Sequence, residues 1–176
     1  MKLNVKTLTY SGLFLALGLV LPQIFHLFGG TGTIFLPMHI PVLLAGFFLG
    51  AYPAALVGLL TVILSATLTG MPPVPVVYFM MAEVTAYGFL SGLFYKKFRL
   101  NVYISLLLAM ILGRIILGAT VYTLQPLLNL KLSPAVYMTN ALINGIPGII
   151  IQIVFIPALV FALERFMVRS NEYRAS

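Results

Sequence analysis

Two ionisable side chains sit deep inside apolar runs: Glu83 in "VVYFMMAEVTAYGFL" and Arg114 in "LLLAMILGRIILGAT". A charge near the centre of a bilayer costs at least about 2.5–3.5 kcal/mol on insertion scales, so each needs a partner or a use. An arginine fork can hold an anionic or carbonyl group through several donors, and a carboxylate beside it can orient that fork. At a helical rise of 1.5 Å per residue, Glu83 lies roughly 12 Å from the start of its run and Arg114 roughly 16 Å from the end of its own. If those two ends share a membrane face, the depths match.

Asn140 and Asn144 are four apart and so project from one helix face, roughly 9 and 15 Å below Pro134. His39 stands near the start of a second apolar run, and Gln23 and His26 near the end of the first. These polar groups fall in one layer. Gln152 is nearer the opposite side and reads as a helix-packing residue. Two compatible roles follow. Glu83 and Arg114 can form a structural ion pair, with the asparagines hydrogen-bonding between helices. Alternatively, the same groups line a hydrophilic pocket in which Arg114 takes the ligand and Glu83 orients it. The histidines lack the i,i+4 spacing with a supporting carboxylate that a metalloprotease uses, so no metal site is expected.

The elements that must carry these residues follow from composition. Of 176 residues, 61% are hydrophobic and 7% charged, far from the roughly 25% charged of a soluble domain. The chain is expected to be an all-α integral membrane protein. At roughly 20 apolar residues per crossing, it can supply about six transmembrane helices and no soluble catalytic domain. Breaks at charges and Gly/Pro clusters put the spans near 7–28, 36–50, 53–69, 75–95, 101–125 and 134–166 of one membrane domain, 1–176. The first run ends in "LPQIFHLFGG" without a small-residue cleavage site, and is expected to be a mature helix. Cysteine is absent, which excludes thiolate chemistry and disulfides.

The net charge of +7 comes from basic residues flanking the spans, a topology signal and not a nucleic-acid patch. Placing both termini in the cytoplasm puts Lys2, Lys6, Lys96, Lys97, Arg99, Arg165, Arg169 and Arg174 inside, against Lys131 outside. The turn-rich connections "GGTGTI", "TGMPPVP" and "QPLLNLKLSP" then face outward, above the polar layer. In "PMHIP", Pro37 suits a first helical turn, whereas Pro41 breaks or delays the hydrogen-bond ladder. Irregular backbone at membrane depth is tolerated where it lines a cavity, so this stretch is expected at a cavity mouth with His39. "GMPPVPVVY" is its counterpart, with Tyr78 placed to stack on a flat ligand. In the first span, Gly12 and Ala16 make a small-xxx-small pair that allows another helix to approach closely.

Taken together, about six spans in under 200 residues, a basic inner side, the Gly12/Ala16 pair and "LPMHIPVLLAGFFLG" resemble the substrate-binding S components of energy-coupling factor (ECF) vitamin transporters. Alanine is usual at both small positions in that family; here the first is glycine. The resemblance implies a multi-pass protein of the prokaryotic plasma membrane that captures a water-soluble vitamin from outside. It implies docking through the first helices onto a T component carrying two ATPases, followed by toppling that releases the vitamin inside. The chain would need no cofactor of its own, since ATP is hydrolysed by partner subunits, and no G-x-x-x-x-G-K-[ST] loop occurs. It is thus not expected to be an enzyme. The substrate-binding set would be Arg114, Asn144, Asn140, Glu83, His39 and Tyr78, and the partner-docking set Gly12 and Ala16. An arginine with asparagines suits a small acid or amide, and pantothenate is the first choice over nicotinate, folate, a pyrimidine precursor or cobalamin. The alternative is a stand-alone proton-coupled secondary transporter or small channel, with Glu83 and Arg114 as relay. Against it, the chain lacks the paired halves common in such transporters.

Overall fold

The computed structural model describes residues 4–27 and 32–175, with side chains over 4–25 and 34–165. Lys2 and the first half of "GGTGTI" lie outside these residues, as do the side chains of His26, Arg169 and Arg174. Every regular element described is helical: α1 (Val5–Leu27), a single turn α2 (Gly32–Phe35), α3 (His39–Leu49), α4 (Ala51–Thr69), α5 (Val76–Gly92), α6 (Val102–Leu127) and α7 (Pro134–Ala175). A π-helical turn, Leu93–Lys97, prolongs α5. Within α1 and α4–α7 lie five stretches long and apolar enough to cross a membrane, and α3 is a shorter apolar helix. The fold is that of an all-α membrane protein.

The second helix begins later than its apolar run. With eleven residues, α3 extends only about 16 Å, half a bilayer core. Its start is set by Leu36, whose φ of 50° turns the chain between α2 and α3, with the His39 N–H donating to the Leu36 carbonyl at 3.1 Å. Pro41 then falls in the first turn of α3, where no intrahelical N–H donor is needed. The ladder is delayed and not broken. At the other end of α3, Gly50 alone separates it from α4, and its φ of 88° is a conformation that glycine adopts without strain.

At the centre of the bundle is α5, packed by α3, α4 and α6. The contact is close because glycines face backbone. A Cβ on Gly88 would collide with the Ala54 carbonyl of α4, and one on Gly58 would stand 2.6 Å from the Val84 carbonyl of α5. Without apolar expulsion from water to drive them together, membrane helices rely on such close van der Waals approach. Around this seam, Val42, Leu43, Phe47, Val62, Val84, Leu106 and Ile156 form a buried core. Leu56, Leu60, Ile111, Ile115, Ile150 and Val154 point outward, as a lipid-facing surface requires. Gly148 of α7 seats α2, since a Cβ there would come within 2.7 Å of the Ile34 carbonyl. Toward the ends carrying the termini, the Tyr95 hydroxyl donates to Glu164 Oε1 and ties α5 to α7.

Candidate functional site

A cavity of about 570 Å³ opens at the end of the bundle away from the termini. One wall is the start of α3, with Pro37, Met38 and His39; a second is α5, with Val76, Met80 and Glu83. The third is the far half of α6, with Arg114 and Leu117, and the fourth is α7, with Tyr137, Asn140 and Asn144. The connection between α4 and α5 supplies Met71, Pro72 and Pro73. Helical periodicity explains the selection. Residues 76, 80 and 83 share one face of α5, and 137, 140, 141 and 144 share one face of α7.

Charge in the cavity is concentrated at one ion pair. Arg114 Nη1 lies 2.9 Å from Glu83 Oε1, and Tyr87 donates its hydroxyl to that same oxygen at 3.1 Å. His39 Nε2 stands 3.6 Å from Glu83 Oε2, beyond hydrogen-bond reach, and its ring meets Tyr87 edge-on with centroids 5.2 Å apart. Glu83 is 3% exposed, so its charge depends on these neighbours. Arg114 keeps Nε and Nη2 without partners among the described residues, and Nη2 faces Gly145, where a Cβ would stand 3.1 Å away. Both nitrogens are shielded where they stand, so the guanidinium must shift to offer them to a carboxylate or carbonyl oxygen in the cavity. Asn140 and Asn144 are exposed at the cavity, so their amides are accessible as neutral donors and acceptors.

The wall from Met71 to Pro73 is fixed by hydroxyls at the end of α4. Ser65, itself buried, donates to the Met71 carbonyl at 2.7 Å, and Thr69 Oγ1 donates to the Ser65 carbonyl at 2.7 Å while accepting from the Met71 N–H at 3.3 Å. Such local side-chain bonds stand in for the ladder that prolines cannot complete.

A sequence model described as "ECF transporter, substrate-specific component" matches residues 6–160. The chain belongs to that family. No curated protein and no solved structure matches it significantly. This protein is therefore a transporter subunit with a substrate-specific role, built from membrane-spanning helices.

Within this S component, five of the six residues expected at a ligand site meet around one cavity: Arg114, Glu83, His39, Asn140 and Asn144. Tyr78 does not join them. It is 44% exposed and lines a shallow groove with Ala82 and Thr85 on another side of α5. The reason is angular, because two residues from Val76 or Met80 is roughly 200° around a helix. Tyr137, Met80 and Ser65 line the cavity without having been singled out from sequence. Tyr137 was accessible to the periodicity that groups Asn140 and Asn144, being three residues before the first. Gln152, at 1% exposure, is buried in α7 away from the cavity lining. On α1, Phe14, Gly18 and Pro22 face the bundle, whereas Gly12 and Ala16 lie on the exposed side, and a Cβ on Gly12 would meet nothing within 4 Å.

Proposed function

We propose that this S component captures a small water-soluble vitamin in the cavity beside Arg114 and delivers it inward with a T component and two ATPases. The observation that carries this is the ion pair at the cavity wall. A partly paired cation sits among accessible amides and mostly apolar walls, the make-up of a site that orients one polar head and encloses a small body. The positive-inside distribution supports an outward-facing cavity mouth and cytoplasmic termini. Pantothenate is the first candidate, because its carboxylate suits Arg114 and its amide and hydroxyls suit Asn140 and Asn144. The cavity volume suits such a molecule, nicotinate or a pyrimidine precursor better than a corrinoid. Gly12 and Ala16, on the open side of α1, are the proposed docking contacts for the T component.

The test is mass spectrometry of the small molecule carried by the detergent-solubilised protein, followed by titration with pantothenate and co-expression with T and ATPase subunits. Pantothenate in the carried fraction and a stable four-subunit complex are expected. Uptake by the isolated chain, driven by a proton gradient with no ATPase present, rejects the proposal.

A further inference from the structure

Tyr87 is absent from the cavity lining, yet it is built into the ion pair that the cavity presents. Only 2% exposed, its ring fills a notch in α6 at Gly113, where any Cβ would overlap the ring carbons Cδ1 and Cε1. Gly113 immediately precedes Arg114, so the notch brings the Tyr87 hydroxyl to the carboxylate that Arg114 binds. Glu83 and Tyr87 are one helical turn apart on α5, and Glu83 Oε1 accepts from both Tyr87 (3.1 Å) and Arg114 Nη1 (2.9 Å).

From this arrangement, and resting on the cavity being the ligand site, we infer that Tyr87 is a positioning residue that keeps Arg114 available to a monocarboxylate ligand by sharing the charge of Glu83. An oxygen that accepts two hydrogen bonds attracts each donor less than one that accepts a single bond. With the phenol in place, Glu83 orients the guanidinium without monopolising it. Without the phenol, Oε1 turns its full charge to Arg114, and an incoming carboxylate must compete with a stronger internal partner. The same accounting narrows the ligand. Among the described residues lining the cavity, Arg114 is the only basic one apart from His39, and Glu83 already offsets it. A dianionic phosphate would leave excess negative charge in a low-dielectric site, and an ammonium would face the guanidinium. Of the anions, a single carboxylate on an uncharged body leaves the least excess charge, one negative unit, with its head toward Arg114 and its body against Met38, Met80 and Leu117.

The experiment compares pantothenate with pantothenol, in which a hydroxymethyl group replaces the carboxylate, as probes of the solubilised full chain. Wild type is expected to prefer pantothenate. Tyr87→Phe keeps the ring in its notch and should lower pantothenate affinity about tenfold while leaving pantothenol within about twofold, because a hydrogen bond to a charged group is removed. Tyr87→3-fluorotyrosine keeps the shape and strengthens the O–H donor, so it should move pantothenate affinity the opposite way; it also serves if the phenylalanine variant does not fold. Equal loss for both probes marks a merely structural tyrosine and overturns the inference, as does an unchanged preference in both variants. If wild type binds neither probe, pantothenate is the wrong vitamin. The molecule the protein carries from cells, with its carboxamide analogue, then becomes the probe pair. A carried molecule lacking a carboxylate overturns the inference outright.

Discussion

Glu83 of α5 and Arg114 of α6 meet at 2.9 Å, linking two helices at the depth where the bundle opens into its cavity. The contact spends one nitrogen of the guanidinium and leaves two unpartnered. A pair that served packing alone would be expected to satisfy both edges of the fork. Arg114→Ala is therefore expected to weaken ligand binding by about 2–5 kcal/mol, the range for truncating one partner of a buried charge pair. The variant should still insert and elute as a monodisperse species. Isothermal titration with pantothenate, or with the molecule carried from cells, provides the check, and wild-type affinity would remove Arg114 from the site.

The asparagines separate position from composition. Asn144 lines the cavity, whereas Gln152, two turns further along α7, is buried in the core. Asn144→Leu should reduce affinity by about 0.5–1.5 kcal/mol through loss of a neutral hydrogen bond, with little effect on thermal stability. Gln152→Leu should leave affinity unchanged. Equal affinity losses in the two variants would show that proximity to the cavity is not what matters.

The depth arithmetic that puts Glu83, Arg114, Asn140 and Asn144 in one layer needs only helical rise and the ends of apolar runs, so this part of the cavity lining is legible in the sequence. Tyr78 lies off the cavity because proximity along the chain to "MPPVP" does not fix the angle around α5. Tyr87 was not found at all. Its role depends on the notch at Gly113 on another helix, and a contact across helices leaves no mark in either helix's own periodicity. The delayed start of α3 has the same character, because the turn at Leu36 is set by its seat on α7. By contrast, the close seam between α4 and α5 had a visible signal in Gly88 and Gly92, four apart in "GFLSG". That pattern is the same as the Gly12/Ala16 pair, yet one is internal and the other exposed.

That difference makes a stability prediction. Gly88→Ala places a methyl group against the Ala54 carbonyl, a backbone atom that cannot rotate away. Overpacking of this kind typically costs about 1–3 kcal/mol. Gly12→Ala meets nothing within 4 Å and should be neutral. Thermal unfolding in detergent, followed by tryptophan-independent light scattering or circular dichroism, should show a lower midpoint for the first variant only.

The wall at Met71–Pro73 offers a kinetic test. Ser65→Ala removes the 2.7 Å bond to the Met71 carbonyl while leaving that wall's own side chains in place. If the hydroxyl holds the wall over the ligand, dissociation should accelerate about three- to tenfold, the equivalent of one neutral hydrogen bond, with association little changed. Stopped-flow release from the solubilised protein measures both rates. Identical release from wild type and variant would make the bond a feature of the loop alone.

The last prediction concerns α1, where binding and coupling should be separable. Gly18 on the inward face leaves no room for change, since a Cβ would stand 2.7 Å from the Thr61 methyl. Gly12 and Ala16 lie on the opposite, exposed side, nearer the terminus-bearing end and far from the cavity. Bulky groups there should obstruct a partner helix without touching the ligand. Gly12→Trp combined with Ala16→Trp is expected to leave vitamin affinity of the isolated protein within about twofold. ATP-dependent uptake by the assembled complex should be abolished, because small-to-large changes at a close helix contact cost about 1–3 kcal/mol or more at each position. Both quantities must be measured on the same double variant. Retained uptake would remove α1's open face from docking, and loss of ligand binding together with fold would mean that this face is packed against the bundle after all.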